Sequence, residues 1–360
     1  LLLRKHSPMA DLAQRFAQNP LLRPADVRPS REGLEVECLL NPGVFRYQGR
    51  IGLVLRVAER PRQEPGVRST PILDPHEPSG IAVLSVRTDD PDLDDSDPRA
   101  FTYQGKKYLT TLSHLRLAWS DDGIHFAPDP APTLIGHGQL ESYGIEDSRV
   151  TELDGVFYLT YTGVSPSGVG VCLSSTRDWQ TFANHGMIIP PSNKDCALFP
   201  QKVGGSYLCL HRPSNIYIGG HDIWLAASPD LMHWGNHACI AWSRPGMWDS
   251  ARVGAGAEPI WTERGWLAIY HGADEHHRYC LGALLLDLND PTQVLARSIE
   301  PIMEPNAPYE QTGFFGNVVF ANGHLADGDT ITLYYGAADE VICGAHFSLQ
   351  EILGTLSKAA

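Results

Sequence analysis

Apolar residues along this chain recur at alternate positions or in short unbroken runs, the pattern of strands and not of helices. The runs come in pairs: 51–57 with 81–86, 108–112 with 115–119, 156–161 with 169–173, 207–211 with 223–227, 266–270 with 280–287, and 330–335 with 342–347. Their first members begin roughly 50–65 residues apart, a propeller-blade period. Three strands are followed by one local pattern, a hydroxyl residue, Asp two positions on and an aromatic six positions on: Ser120-Asp122-Phe126, Thr176-Asp178-Phe182 and Ser228-Asp230-Trp234. The polar pair is expected to close a turn on backbone N–H groups, with the aromatic between blades. Six hairpins fit six blades, or five if the chain ends share one.

Helical spacing is confined to the ends. Ser7-Pro8 reads as the cap and first turn of a helix carried by Ala10 to Phe16 and stopped at Asn19-Pro20; a second helix is predicted over 348–356. The stretch 60–98, rich in Pro, Asp and Glu, reads as loop interrupted by a strand at 81–86. No linker separates two cores. The expectation is therefore an all-β single domain over 1–360, with a helical extension over 1–20 and a C-terminal helix over 348–360.

Composition narrows the function. The 28 Lys and Arg against 42 Asp and Glu leave a net charge of −14, a field that repels phosphodiester and anionic lipid, so neither nucleic acid nor membrane is expected as a partner. Seven cysteines without a CxxC pair read as reduced thiols and give no structural zinc site; no metal is expected. Leu1 to Leu3 followed by Arg4-Lys5 builds neither a signal peptide nor a membrane span. The cytoplasm is the expected compartment, with periplasm and secretion left open because the sequence starts without Met and a leader could precede it. The 60–98 loop and the terminal helix offer faces for a homo-oligomer contact. Phosphate-binding, dinucleotide, zinc-protease and esterase motifs are all missing.

A propeller gathers polar residues at the inner strand ends into one pocket. The densest candidate is Gly144-Ile145-Glu146-Asp147-Ser148-Arg149, where alternation lets Asp147 and Arg149 face one side. Equivalent points carry Asn41-Pro42-Gly43, Arg56, Asn193-Lys194-Asp195, His211-Arg212, Glu258 after Gly254-Ala255-Gly256, Tyr270-His271-Gly272-Ala273-Asp274, and Tyr334-Tyr335-Gly336-Ala337-Ala338-Asp339. Aromatic rings beside carboxylates suit a sugar, a ring face for C–H groups and oxygens for hydroxyls.

These blocks, with Leu198-Phe199-Pro200, Asp222-Ile223-Trp224 and Gly313-Phe314-Phe315 before Asn317-Val318-Val319-Phe320, resemble glycoside hydrolase family 130, the β-mannoside phosphorylases and β-1,2-mannosidases. The likeness runs from Asn19 to about Gly344. It implies a five-bladed β-propeller with a central sugar pocket and net inversion at a β-mannosyl linkage. It makes Asp147 the acid, passing its proton through a mannose hydroxyl in the phosphorylases. It also puts Asn41, Arg56, Lys194, His211, Arg212, Tyr270, Asp274 and Asp339 in the substrate pocket; the reading of the residues adds Arg149, as the group positioning Asp147, with Asp195 and His271.

Three departures shape the expectation. Ser148 replaces the motif's Pro; Val169 and its neighbours stand where many phosphorylases carry Arg; Glu258 stands where a small residue or Pro is expected. A carboxylate at 258 repels a phosphate dianion and suits a base for water. The reading is therefore hydrolysis of β-1,2-linked manno-oligosaccharides, with Asp147 as acid and Glu258 as base, and no cofactor. The alternative is phosphorolysis to mannose 1-phosphate, with inorganic phosphate as co-substrate held by Lys194, His211 and Arg212. A non-catalytic carbohydrate-binding propeller is the third reading.

Overall fold

The predicted strands assemble into five antiparallel sheets. The computed structural model describes residues 11–97, 100–214 and 218–358. Sheet I runs Leu34–Tyr47, Arg50–Pro61, Leu112–Ser120, Ala127–Pro128, and sheet II runs Ile145–Leu153, Val156–Ser165, Gly168–Thr176, Ala183–Ile189. Sheet III holds Asn193–Leu198, Tyr207–Pro213, Ile223–Ser228 and Gly235–Ala241. Sheet IV holds Arg252–Ala255, Gly265–Ala273, Tyr279–Leu286, Val294–Ser298 and Leu356–Lys358, with Ile260–Thr262 at its side. Sheet V joins Val319–Asp327, Thr330–Ala337 and Val341–Ser348 to Gln14–Arg15 from the other end of the chain.

Apolar clusters fill the space between successive sheets. Phe45, Leu115 and Phe157 join I to II; Leu173, Leu198 and Cys209 join II to III; Leu210, Leu225 and Trp266 join III to IV; Leu285, Val319 and Leu333 join IV to V. A further cluster, with Leu39, Leu55, Tyr334 and Ile342, joins V to I. The middle strands are covered on both faces. Gly265–Ala273 is buried at every position, which is why it reads as a continuous apolar run. The first strands pack against one another: Leu34–Tyr47 lies against Ile145–Leu153 and Val319–Asp327, and Asn193–Leu198 against Ile145–Leu153 and Arg252–Ala255.

The repeated turn forms as expected. Ser120 Oγ accepts from Gly123 N at 2.8 Å, and Asp122 Oδ1 accepts from Ile124 and His125 N at 2.9 and 2.8 Å. Thr176-Asp178 and Ser228-Asp230 repeat it. Phe126 sits edge-on to Tyr334 of sheet V, so this aromatic does fill the seam between sheets.

Four of the six predicted hairpins are present; the first two pair differently. Arg50–Pro61 pairs with Leu34–Tyr47 and Leu112–Ser120, and not with 81–86. The 81–86 run belongs to Ile81–Arg87, which pairs with Val67–Leu73, while Leu93–Asp97, Ala100–Tyr103 and Lys106–Leu109 form a second small sheet. The stretch read as loop is thus an inserted pair of small sheets between the second and third strands of sheet I.

The N-terminal helix is a second correction. Residues 1–10 lie outside the described residues, and from 11 onward the chain is extended. Gln14–Arg15 pairs with Ala345 and His346, Phe16 N donates to Gly344 O at 3.0 Å, and Arg15 Nε donates to buried Glu310 at 2.7 Å. A sheet edge and a buried carboxylate outweigh weak local helical preference. The C-terminal helix forms over Leu349–Thr355, capped by Ser348 Oγ on Glu351 N. A short unpredicted helix spans Pro308–Gln311. All seven cysteines are free, and no helix among the described residues is long and apolar enough to cross a membrane.

Candidate active site

The first strands of sheets I, II, III and V each carry a bulge, where pairing slips between Leu40 and Gly43, Glu146 and Arg149, Lys194 and Ala197, and Phe320 and Gly323. The bulges of I, II and III hold Asn41, Asp147 and Asp195 at φ of 36°, 48° and 55°. Left-handed backbone at a residue other than glycine costs about 1–3 kcal/mol and is tolerated best by Asn and Asp. A bulge re-aims its side chain, and here the three are brought together.

Asp147 is 3% exposed. Its Oδ1 accepts from Asn41 Nδ2 and Arg56 Nη1, both at 3.1 Å, and Lys194 Nζ stands 4.0 Å from Oδ2. Burial alone would raise its pKa; the charges of Arg56, Lys194 and Arg149 outweigh burial and hold it below the usual value. Arg56 also reaches Glu146 Oε1 at 2.9 Å through Nη2. Asp339 shares this environment: burial pushes it up to about 6, with Arg56 pulling down and the Asp147 charge pushing up.

Asp195 forms the second half. Arg149 Nη2 lies 3.2 Å from Oδ1, while Arg212 Nη1 and His271 Nε2 lie 3.0 and 3.3 Å from Oδ2. Burial opposes the charge, but these partners, Arg212 first, hold the carboxyl well below the ordinary range. His271 is itself pushed down to about 4 by burial, so it is neutral near pH 7. Arg149 couples the halves, donating to Asp147 O at 3.0 Å, Gly256 O at 3.1 Å and Ala255 O at 2.8 Å. This accounts for Gly254-Ala255-Gly256. A Cβ at Gly254 would strike His271 Nε2 and Asp195 Oδ2, and one at Gly256 would meet the carbonyls of Ile269 and Ala321.

Not every predicted residue joins this cluster. His211, on the opposite strand face from Arg212, bonds Asn193 and His237 at 3.1 Å each and is lowered to about 4 by burial. Tyr270, opposite to His271, is fully buried and donates to Asp249 at 2.8 Å between Arg244 and Arg297. Asp274 closes a turn by accepting from His276 and Arg278 N. Glu258 lines a separate cavity with Glu152 and His324, and the groups acting on it are Thr151 and Glu152, not Asp147. As the base partner of Asp147 it is misplaced, because it follows the glycine turn and lies beyond the bulge level.

Four residues absent from the predicted set belong to the neighbourhood. Glu146 shares Arg56, and Asn322 Nδ2 donates to Asn41 O at 3.1 Å. Arg252 donates to Tyr279 OH at 3.1 Å, and Arg212 and Arg252 both act on His221. Arg252 opens the first strand of sheet IV, a position that the repeat itself singles out. Several buried atoms here have no partner, among them Asn41 Oδ1, Arg212 Nε, Arg252 Nε, His221 Nδ1 and His271 Nδ1. Buried polar groups are nearly always satisfied, so this many unmet atoms in one place set the cluster apart from the rest of the interior. Among the described residues no group of three or more His, Cys, Asp or Glu is arranged to hold a metal.

Comparison with known proteins gives a consistent picture. Residues 97–358 match the family model of glycoside hydrolase family 130, described as β-1,4-mannooligosaccharide phosphorylase. A β-1,2-mannobiose phosphorylase from Listeria innocua is 45% identical over 96% of this chain and 99% of its own length. A 1,2-β-oligomannan phosphorylase from a Thermoanaerobacter species is 41% identical over 68% of this chain and 82% of its own. The structure of the Listeria innocua enzyme with β-1,2-mannobiose superposes with a TM-score of 0.89, covering 95% of this chain and 98% of that one. These findings overturn hydrolysis as the leading expectation: the family description and both relatives are phosphorylases.

Proposed function

The chain belongs to glycoside hydrolase family 130, and from that premise we propose that it cleaves β-1,2-mannosidic bonds by inverting phosphorolysis. The substrate is a short β-1,2-linked manno-oligosaccharide, in keeping with the sugar in the Listeria innocua complex. Inorganic phosphate is the co-substrate, and no further cofactor takes part. The products are mannose 1-phosphate, α by inversion, and a saccharide shorter by one mannose.

The observation that carries this reading is the set Arg56, Arg149, Lys194 and Arg212 around Asp147 and Asp195, with the Glu258 carboxyl in a different cavity. A phosphorylase needs cations to seat its nucleophile, and four of them gather here. Lys194 and Arg212 hold the phosphate, with Arg252 and His221 beside them.

Phosphate attacks the anomeric carbon as the glycosidic bond breaks, and the departing oxygen takes a proton that originates on Asp147 and travels through a mannose hydroxyl. In the free protein Asp147 is held ionised by its cations. A phosphate dianion shares those cations and relaxes their grip, raising the Asp147 pKa so that it takes up the proton it later gives. The proton comes from solvent, and Asp339, pushed up to about 6 by burial, lies in the field of the same Arg56.

The five sheets are read as the blades of one propeller domain. Support comes from the clusters joining each sheet to the next and V to I. Free thiols favour a reducing compartment such as the cytoplasm. The direct test incubates the protein with β-1,2-mannobiose, with and without phosphate. Mannose 1-phosphate formed only with phosphate is expected; free mannose released at a phosphate-independent rate overturns the reading.

A further inference from the structure

A second cavity, of about 320 Å³, opens where the first strands run on past their bulges. Arg46 and Glu152, which line it, each follow a bulge residue of the Asp147 cluster, Asn41 and Asp147, by five positions. Val44 and Val150, three positions on, line it too, so at ~3.3 Å per strand residue the cavity lies ~10–16 Å further along the strands. None of Asp147, Arg56, Lys194 or Asp195 lines it.

Two of its polar side chains each keep one atom without a partner. His324 is 6% exposed and its Nδ1 has no partner; Glu258 Oε2 is shut away from water and has none either. Buried polar groups are nearly always satisfied, and these two atoms lie on side chains of one cavity wall, just behind its surface. Trp261, 53% exposed, presents an indole to the same space, and Pro200 and Pro259 add apolar faces.

The charge state says what kind of occupant. Burial lowers His324 to about 4 and lifts Glu258 to about 7, so near neutral pH the imidazole is uncharged and the carboxyl is half protonated. Arg46 and Glu152, of opposite sign, are both exposed. Such a lining calls for no ion. It supplies donors, acceptors and an aromatic face, the combination that recognises a pyranose ring, in a volume near the lower end of the ~300–1,000 Å³ usual for small-molecule sites.

We infer that this cavity is a second, non-catalytic site for a neutral hexopyranoside, and that its occupant is a mannosyl unit of the oligosaccharide on which the protein acts. The second half of that statement rests on the function proposed above; the first half does not.

The test is calorimetric titration in phosphate-free buffer, where mannobiose binds without turnover. β-1,2-Mannobiose is expected to fill two sites on the wild-type chain and one on Trp261→Ala. His324→Phe, which plugs the cavity from inside, is a second variant expected to lose the same site. Maltose, titrated in parallel, is expected to give no second-site heat; equal heat from maltose overturns the mannosyl assignment and leaves the hexoside site standing. One site on the wild-type protein, or two retained by both variants, overturns the cavity proposal. Phosphorolysis read on the same samples reports the Asp147 cluster independently. Loss of activity with the two-site pattern intact defeats the function reading alone.

Discussion

Arg56 and Asp147 meet across two sheets, Nη1 to Oδ1 at 3.1 Å, while the other arm of the same guanidinium holds Glu146 Oε1 at 2.9 Å. A planar fork fixes both carboxylates of the bulge at once, something a point charge cannot do. Arg56→Lys keeps the charge and loses the fork. The expected result is a fall of about 10–100-fold in kcat/KM for mannobiose. Wild-type rates in this variant would show that charge alone suffices.

Asp147→Asn removes the proton source and keeps the shape. Turnover is expected to fall by ~10²–10⁴-fold, the usual worth of a positioned acid. The far-UV circular dichroism spectrum should be unchanged, since Arg56 retains Glu146 and Arg149 binds only the backbone oxygen of residue 147. An active, folded variant would remove Asp147 from the reaction.

Adjacent His211 and Arg212 face opposite ways, and this gives a paired test. Arg212→Ala should raise the KM for phosphate by about tenfold or more, the worth of one charge-assisted contact. His211→Asn, whose ring is engaged by Asn193 and His237, should leave that KM within about twofold. The reverse order in phosphate titrations would restore His211 to the anion site.

The same alternation explains what the sequence could and could not disclose. Strand side chains change face at every residue, so His211-Arg212 and Tyr270-His271 can each supply only one member to the centre. Listing both members admitted His211 and Tyr270, which the structure uses in a His–Asn network and in an Arg–Asp–Tyr network in the core. Asp147, Arg56, Lys194 and Arg212 were picked out in the sequence because they stand beside the paired strands of the repeats, Asp147 and Lys194 on first strands and Arg56 and Arg212 on second ones. Their meeting depends on bulges, and Asn or Asp in mid-strand, as at Asn41, Asp147 and Asp195, is the trace a bulge leaves in a sequence.

Sheets II to V were readable because their hairpins are consecutive in the chain. Sheet I was not: two small sheets lie between Arg50–Pro61 and Leu112–Ser120, and pairing by adjacency joined the wrong strands. The N-terminal segment failed for another reason. Its partner, Val341–Ser348, lies at the other end of the chain, and no local pattern carries that information.

Gly254 offers a test of close approach. The added methyl of Gly254→Ala meets His271 Nε2 and Asp195 Oδ2, both on buried side chains that have little room to yield. The Asp195 cluster must then shift. Since a displacement on the order of 1 Å near a site can cost ~10²-fold, a loss of about 10–100-fold in kcat is expected. A variant crystal structure with Asp195 and His271 unmoved, together with normal rates, would show that the glycine is not needed there.

Glu258 bears on stability. Burial pushes its pKa up to about 7, with Glu152 adding to the shift and the Thr151 hydrogen bond opposing it. The folded state therefore holds this proton more tightly than the unfolded chain, where the carboxyl titrates near 4.3. The favourable contribution is complete below that value and is lost as pH rises to about 7. Beyond that the fold carries an ionised carboxylate with an unpartnered oxygen, at a cost on the order of 2–3 kcal/mol. Glu258→Gln keeps the volume and cannot ionise. Urea midpoints of the two proteins should converge near pH 4.5 and separate above pH 7, with the variant the more stable by that amount. Equal midpoints at pH 8 would mean that the carboxylate is solvated, and the cavity around it would then have to be open to water.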